Sequence, residues 1–308
     1  DTLRGLLPAA TTSNLGIFGS GQGYEALILR MRAHPLAEVR VCAEQLLVEL
    51  QQVIPAFVAR LDQPARGGRW VEYLAATRRR AEASVRGAVD GVVPEVPDAE
   101  VVLTEWDPDG EVKVAASILY GQSSLSDVQA FEAARRLTVS ERSALLAAYC
   151  GSRENRRHKP GRAFERTRYR FDVLSDYGAF RDLQRHRMLT IEWQALTPAL
   201  GAVEPAAIDD AGAMRDWQRV MDASAELFEF LAARDLRDAA SYAVCMAYRV
   251  RFYLDMNARE AMHLIELRTA PQGHPSYRRV CQAMHTAIRD VAGHRALAGA
   301  MTFVDHST

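Results

Sequence analysis

The sequence predicts an α+β fold, a helix-rich domain carrying a small antiparallel sheet. Three observations lead there. The chain of 308 residues is 48% hydrophobic and 25% charged, enough apolar material for a packed core. Helical spacing of apolar residues, punctuated by capping residues, dominates its length. A few short runs rich in β-branched and aromatic residues break that spacing, and they suffice for one small sheet.

From residue 98 onward the elements follow in order. EVVLTEW (100–106) reads as a strand, and DPDG after it as a turn. Residues 111–120 and 126–136 read as helices. Thr138 or Ser140 can cap a helix over SERSALLAAYC, and Gly151 stops it. RYRFDVL (168–174) alternates and reads as a strand; Ser175 or Asp176 then caps a short helix through Gln184. TIEWQAL (190–196) reads as a strand that seeks burial. Two long helices are expected over about 211–233 and 235–251, and FYLDM (252–256) fits either helix or strand. Asn257 can cap a helix from Ala258 to about Thr269, and a last helix covers about 275–298.

The formal net charge of -1 excludes a general nucleic-acid or membrane binder, so any anion site must be a local cluster. Positive charge is almost entirely arginine, with only Lys113 and Lys159 besides; arginine suits bidentate anion contacts. Cys42, Cys150, Cys245 and Cys281 lie far apart, without metal-ligand or redox spacing. They read as reduced, mostly buried thiols, which points to a cytoplasmic compartment; no metal is expected. No apolar run reaches the length of a membrane span, and no signal peptide is visible.

Two segments echo each other. YEALILRMRAHPLAEVRVCAEQL (24–46) and REAMHLIELRTAPQGHPSYRRVCQAMH (259–285) both run Glu-Ala, an apolar helical stretch, arginine, His-Pro, arginine, Val-Cys. His34-Pro35 and His274-Pro275 stand 240 residues apart. An internal repeat of that period makes residues 1–62 the tail of a first copy, 63–97 a helical linker, and 98–308 a second copy starting near Asp98.

Three stretches carry candidate chemistry. Arg185, His186 and Arg187 form a cationic triplet directly before the 190–196 strand. Cations there complement the dipole of the preceding helix; in a pocket walled by protein, the same groups grip an anion. In the helix from Asn257, Arg259 and His263 share a face, and Arg268 falls on the opposite side. RHKPGRAFERTRYRFDV (157–173) brings His158, Glu165 and Arg170 around a turn and a strand, with no catalytic-triad order. GSGQG (19–23) lacks the strand–helix context of a nucleotide loop.

Taken in order, these pieces resemble the flavin-dependent thymidylate synthases. That family carries an Arg-His-Arg triplet, matched by Arg185, His186 and Arg187; upstream, HKPGRAFERTRYRF is similar to its histidine loop and Phe-x-Phe-like strand. Downstream the family has Asn-x-Arg-Ser-Leu-Arg-His-Phe-Leu-x-Leu-Arg, and NAREAMHLIELR keeps Asn257, Arg259, His263, Leu267 and Arg268. The resemblance covers about 98–298, and residues 1–62 resemble the family's C-terminal portion once more.

It implies a homotetramer with sites shared between subunits. It implies FAD reduced by NADPH, and methylene passing from methylenetetrahydrofolate to the uracil ring of dUMP. By position, Arg185, His186 and Arg187 hold FAD and nucleotide phosphates, Arg187 reaching the substrate. Asn257, Arg259 and His263 lie on the FAD side. Arg268 is the catalytic and substrate-binding residue, gripping the uracil edge. Some family positions differ. Ala195 replaces the serine after the triplet, Glu192 and Trp193 replace the asparagine and glutamate before it, and LTPALG replaces an Arg-Tyr. The glutamine three before the triplet is Asp182. Most of these positions serve dUMP. A second reading is therefore a flavin- or nucleotide-binding or structural member without catalysis.

Overall fold

A computed structural model describes residues 2–93, 99–234 and 236–307. Asp98, where the second copy is expected to begin, lies outside them. Among the described residues the chain divides into two compact units: 10–93 with 229–234 and 236–240, and 2–9 with 99–228 and 241–307.

The first unit is helical: α1 (Gly21–Arg32), α2 (Ala37–Val53), α3 (Pro55–Val58) and α4 (Arg69–Ala88). Ser20 caps α1 by accepting from the Gly23 amide. Ile28, Ala43, Leu47, Val58 and Leu61 make its small core. Arg32 forks onto Glu44 at 2.7 and 2.8 Å and reaches Asp62 at 2.9 Å.

The second unit holds the sheet. In chain order it contains β1 (Val101–Trp106), α5 (Gly110–Gln122), α6 (Asp127–Arg136), α7 (Val139–Cys150), β2 (Arg168–Asp176), α8 (Tyr177–Leu183) and β3 (Thr190–Trp193). Then come α9 (Ala206–Asp210), α10 (Met214–Ala232), β4 (Arg249–Asn257), α12 (Ala258–Arg268), α13 (Pro275–Asp290) and α14 (Arg295–Gly299); the last four residues of α10 and the short α11 (Arg237–Ala240) between α10 and β4 are counted with the first unit. The sheet is antiparallel, in the order β1-β2-β4-β3. Its centre pairs Tyr169 with Met256, Phe171 with Leu254 and Val173 with Phe252. These six side chains, all buried, form the heart of the core against α12 and α13. The strand period of two is what turns all of them to one side.

Capping follows the sequence closely. Ser126 and Gln129 close a capping box on α6, and Thr138 and Glu141 close one on α7. Gly151 ends α7 at φ 64°, a conformation open to glycine. Asp176 caps α8 through the Ala179 amide. His34 and His274 do the same local work: each Nδ1 accepts the amide two residues on, at 3.2 and 3.3 Å, across its proline.

Three expectations change. Residues 235–251 are not one helix. After α11 the backbone is claimed from elsewhere: Val244 O accepts from Ala9 N, and the Met246 and Ala247 amides donate to Leu7 and Gly5 carbonyls. The side chains at 243–248 are all buried there, so tertiary pairing overrides an alanine-rich helical composition. FYLDM is strand, continuing β4. The expected last helix breaks at Gly293, φ 72°, into α13 and α14. Finally, the strand after the triplet is short and mostly exposed. β3 pairs with β4 alone, and Trp193 is 54% exposed, so the triplet does not abut a buried strand.

Candidate anion and ring-binding site at His186 and Arg268

Helix α12 organises the candidate site because it presents two working faces. Asn257 caps it, its side-chain oxygen accepting the Glu260 amide at 2.9 Å. One face, Arg259–His263–Glu266, lies against the loop after α7. Arg259 Nε donates to the Pro160 carbonyl at 2.9 Å, and its NH1 reaches Glu165 at 3.3 Å. Glu266 takes both terminal nitrogens of Arg153 at 2.6 Å. Burial first, then the Lys159 charge, hold His263 below the usual imidazole range; Arg156 adds to the effect.

The other face, Glu260 and Arg268, meets the triplet. His186 is buried, and its Nδ1 lies 3.2 Å from Glu260 Oε1. Arg268 Nε donates to His186 Nε2 at 3.2 Å. That nitrogen therefore holds a lone pair, and the ring proton sits on Nδ1, facing Glu260. Arg268 NH2 donates to the Asp182 carbonyl at 2.6 Å, and NH1 approaches Asp182 Oδ1 at 3.4 Å. The guanidinium lies 5.4 Å from the centre of the Tyr277 ring. The His186 and His263 rings meet edge-on at 5.5 Å.

The triplet thus splits by side. His186 turns inward, whereas Arg185 and Arg187 are exposed; Arg185 keeps an ion pair with Asp182 at 3.7 Å. Arg268 joins His186 in the inner cluster. Asn257 and Arg259 are bonded within the protein, as cap and loop anchor. Asp182 stands where the family has a glutamine; Glu260, Arg153 and Glu266 carry no such mark in the sequence, because each acts through a partner remote in sequence. Among the flagged loop residues, His158 sits in an exposed turn and Arg170 stacks over Tyr253 at 3.6 Å.

His186, Glu260 and His263 also bring one ligand atom each within 4.8 Å, a set that could hold a metal ion. The sequence spacing had pointed to none. Charge disfavours a cation here: the Arg268 guanidinium already binds one of these ligands, and Lys159 and Arg156 face another.

A family model described as thymidylate synthase complementing protein matches residues 101–293. The chain belongs to the thymidylate synthase complementing protein family. This is the family that the three ordered motifs resemble. Over its full length the chain is 36% identical to the UPF0159 protein of Chlamydia muridarum, covering 58% of that protein. It is 33% identical over 321 residues to a UPF0159 protein of Thermoplasma acidophilum, 99% of this chain and 59% of that one. The chain thus spans just under three fifths of the curated relatives it matches. Among solved structures it is similar to a UMP/dUMP methylase from Streptomyces cacaoi bound with 5-Br dUMP, at TM-score 0.50 and 19% identity. That match covers 66% of this chain and 94% of the methylase, and it shows a shared fold. No helix among the described residues is long and apolar enough to cross a membrane.

Proposed function

We propose that the chain is part of a flavin-dependent pyrimidine methylase, acting on dUMP or a related uracil ring. The observation that carries this reading is the meeting of His186 with Arg268: two family motifs, 82 residues apart, converge at 3.2 Å. Membership of the family supports the chemistry: methylenetetrahydrofolate as carbon donor and NADPH as reductant. Bound FAD would supply the hydride that completes the methyl group. The fit to FAD is partial. Exposed Arg185 and Arg187, with Arg156 and Lys159 near His263, suit phosphate groups. Asn257 Oδ1 and Arg259 Nε and NH1 are engaged inside the protein, which weakens their case as flavin contacts.

The chain's own groups divide the work. Arg268 donates to a ring oxygen and stabilises negative charge that develops there. His186 and Asp182 fix the guanidinium so that little rearrangement is needed. Tyr277 offers a flat apolar surface beside it. We also read residues 1–62 as the tail of a first copy and 98–308 as a second. The matched proline-spanning caps at His34 and His274, and the greater length of the relatives, support that division. A homo-oligomer sharing sites between subunits follows from the family resemblance.

The test is the visible spectrum of the purified chain before and after addition of FAD, followed by uracil-dependent oxidation of the reduced flavin. Bound flavin and turnover are expected. A colourless protein that takes up no FAD removes the methylase reading. A second reading, binding without catalysis, is favoured by Ala195 and by the pairing of Arg268 with Asp182; flavin uptake without turnover on any uracil compound would establish it.

A further inference from the structure

We infer that Asp182 sets the specificity of the Arg268 site, making it a receptor for the uncharged edge of a cyclic imide in preference to a phosphate. The inference rests on the reading above only in expecting a ring ligand at Arg268. Asp182 Oδ1 lies 3.4 Å from Arg268 NH1 and 3.7 Å from Arg185 NH1. The carboxylate is a third exposed, and the Arg185 side chain is 68% exposed. The rim of the site therefore reads N–H, carboxylate oxygen, N–H. A cyclic imide carries the complement, C=O, N–H, C=O. The match uses every hydrogen-bonding position of that edge, and a site so built rejects analogues that leave one unpaired.

Charge points the same way. The inner guanidinium is already offset by Asp182. A second carboxylate, Glu260, lies behind His186, whose ring is neutral when it accepts from Arg268. His263, facing Lys159 and Arg156, is held toward its neutral form. A phosphate entering beside Arg268 would meet two carboxylates against one half-buried cation, the Arg185 charge being largely screened by water at 68% exposure, whereas an imide loses nothing to them. Arg187, exposed beside this rim, remains for any anionic part of the same ligand.

Two ring systems in the proposed chemistry carry this edge: the uracil ring and the isoalloxazine of flavin. Calorimetry on the intact chain separates them, using deoxyuridine against its N3-methyl derivative and riboflavin against N3-methylriboflavin, with inorganic phosphate as competitor. One parent ring is expected to bind at least about tenfold more tightly than its N3-methyl form, since methylation removes the central donor and leaves Asp182 unpaired. The pair that discriminates names the ring. Phosphate at millimolar concentration should not displace it. D182A should abolish the N3 discrimination, and D182N, which keeps shape but not charge, should make phosphate a competitor; thermal melts confirm that both variants fold. Equal binding of parent and N3-methyl rings in both pairs, absence of binding by all four, or displacement by phosphate from the unaltered chain would overturn the inference. FAD uptake without N3 discrimination defeats this inference alone. Loss of FAD uptake defeats the methylase reading.

Discussion

Arg153 and Glu266 lock the loop after α7 to the last turn of α12 through a fork of two 2.6 Å contacts, with side-chain exposures of 3% and 1%. The pair is fully networked: Arg153 also donates to the His158 and Ala300 carbonyls, and Glu266 accepts the Phe303 amide. Removing one partner strands a charge in the core. Arg153→Met should destabilise the sheet-bearing unit by about 3–5 kcal/mol, read as a lowered urea midpoint. The double variant Arg153→Met, Glu266→Leu should recover most of the loss. A single variant within ~0.5 kcal/mol of the parent would show that solvent reaches the pair.

With the uracil ring as the guest of Arg268, Arg268→Ala should abolish turnover and deoxyuridine binding while leaving FAD uptake within about threefold, because the outer cations remain. Flavin titration and calorimetry on one preparation decide it. Turnover that persists would remove Arg268 from the chemistry.

Asn257 is the sharper case of a residue with two candidate roles. As the cap of α12 its replacement by alanine should cost about 1 kcal/mol, and Asn257→Ser should restore it. If Asn257→Ser also restores flavin affinity, the residue acts through the helix. If Asn257→Ser melts like the parent yet binds flavin ten times more weakly, the amide touches the cofactor.

Acid should weaken the fold. Burial is the first cause that holds His263, His285 and His294 below the ordinary imidazole value of 6.5. In each case the unfolded chain binds the proton more readily, so stability is complete above about pH 6.5 and falls as pH drops toward the folded values. Glu100, raised by burial, acts in the opposite sense but in the carboxylate range. The urea midpoint at pH 5.5 should lie below that at pH 7.5. His294→Gln should shrink the difference. A flat profile would contradict the assigned burial.

Much of this architecture was legible before any coordinates, and the reasons are local. The helices over 127–136 and 139–150 announce themselves through capping boxes whose partners are three residues apart, and Asn257 does so for α12. The sheet was half visible. β2 alternates cleanly, whereas β4, RVRFYLDMN, buries Val250, Phe252, Leu254 and Met256 on a period of two that arginines at its start obscured. Residues 241–248 misled because their backbone partners lie at residues 5–9, and helical composition says nothing about such pairing. At the site, the triplet and Arg268 could be singled out by residue type. Of their controllers, Asp182 stood out only as a departure from the family's glutamine, and Glu260 not at all: a carboxylate three or eight positions from an arginine reads as surface charge until its distant partner is known.

The eleven residues of α12 impose a length scale. At about 1.5 Å per residue, the Asn257 and Arg268 ends stand roughly 16 Å apart. A single uracil ring is far shorter than that. Any one molecule touching both ends must be extended, of dinucleotide proportions, lying along the helix; otherwise the two ends serve separate guests, and the helix acts as the spacer between them.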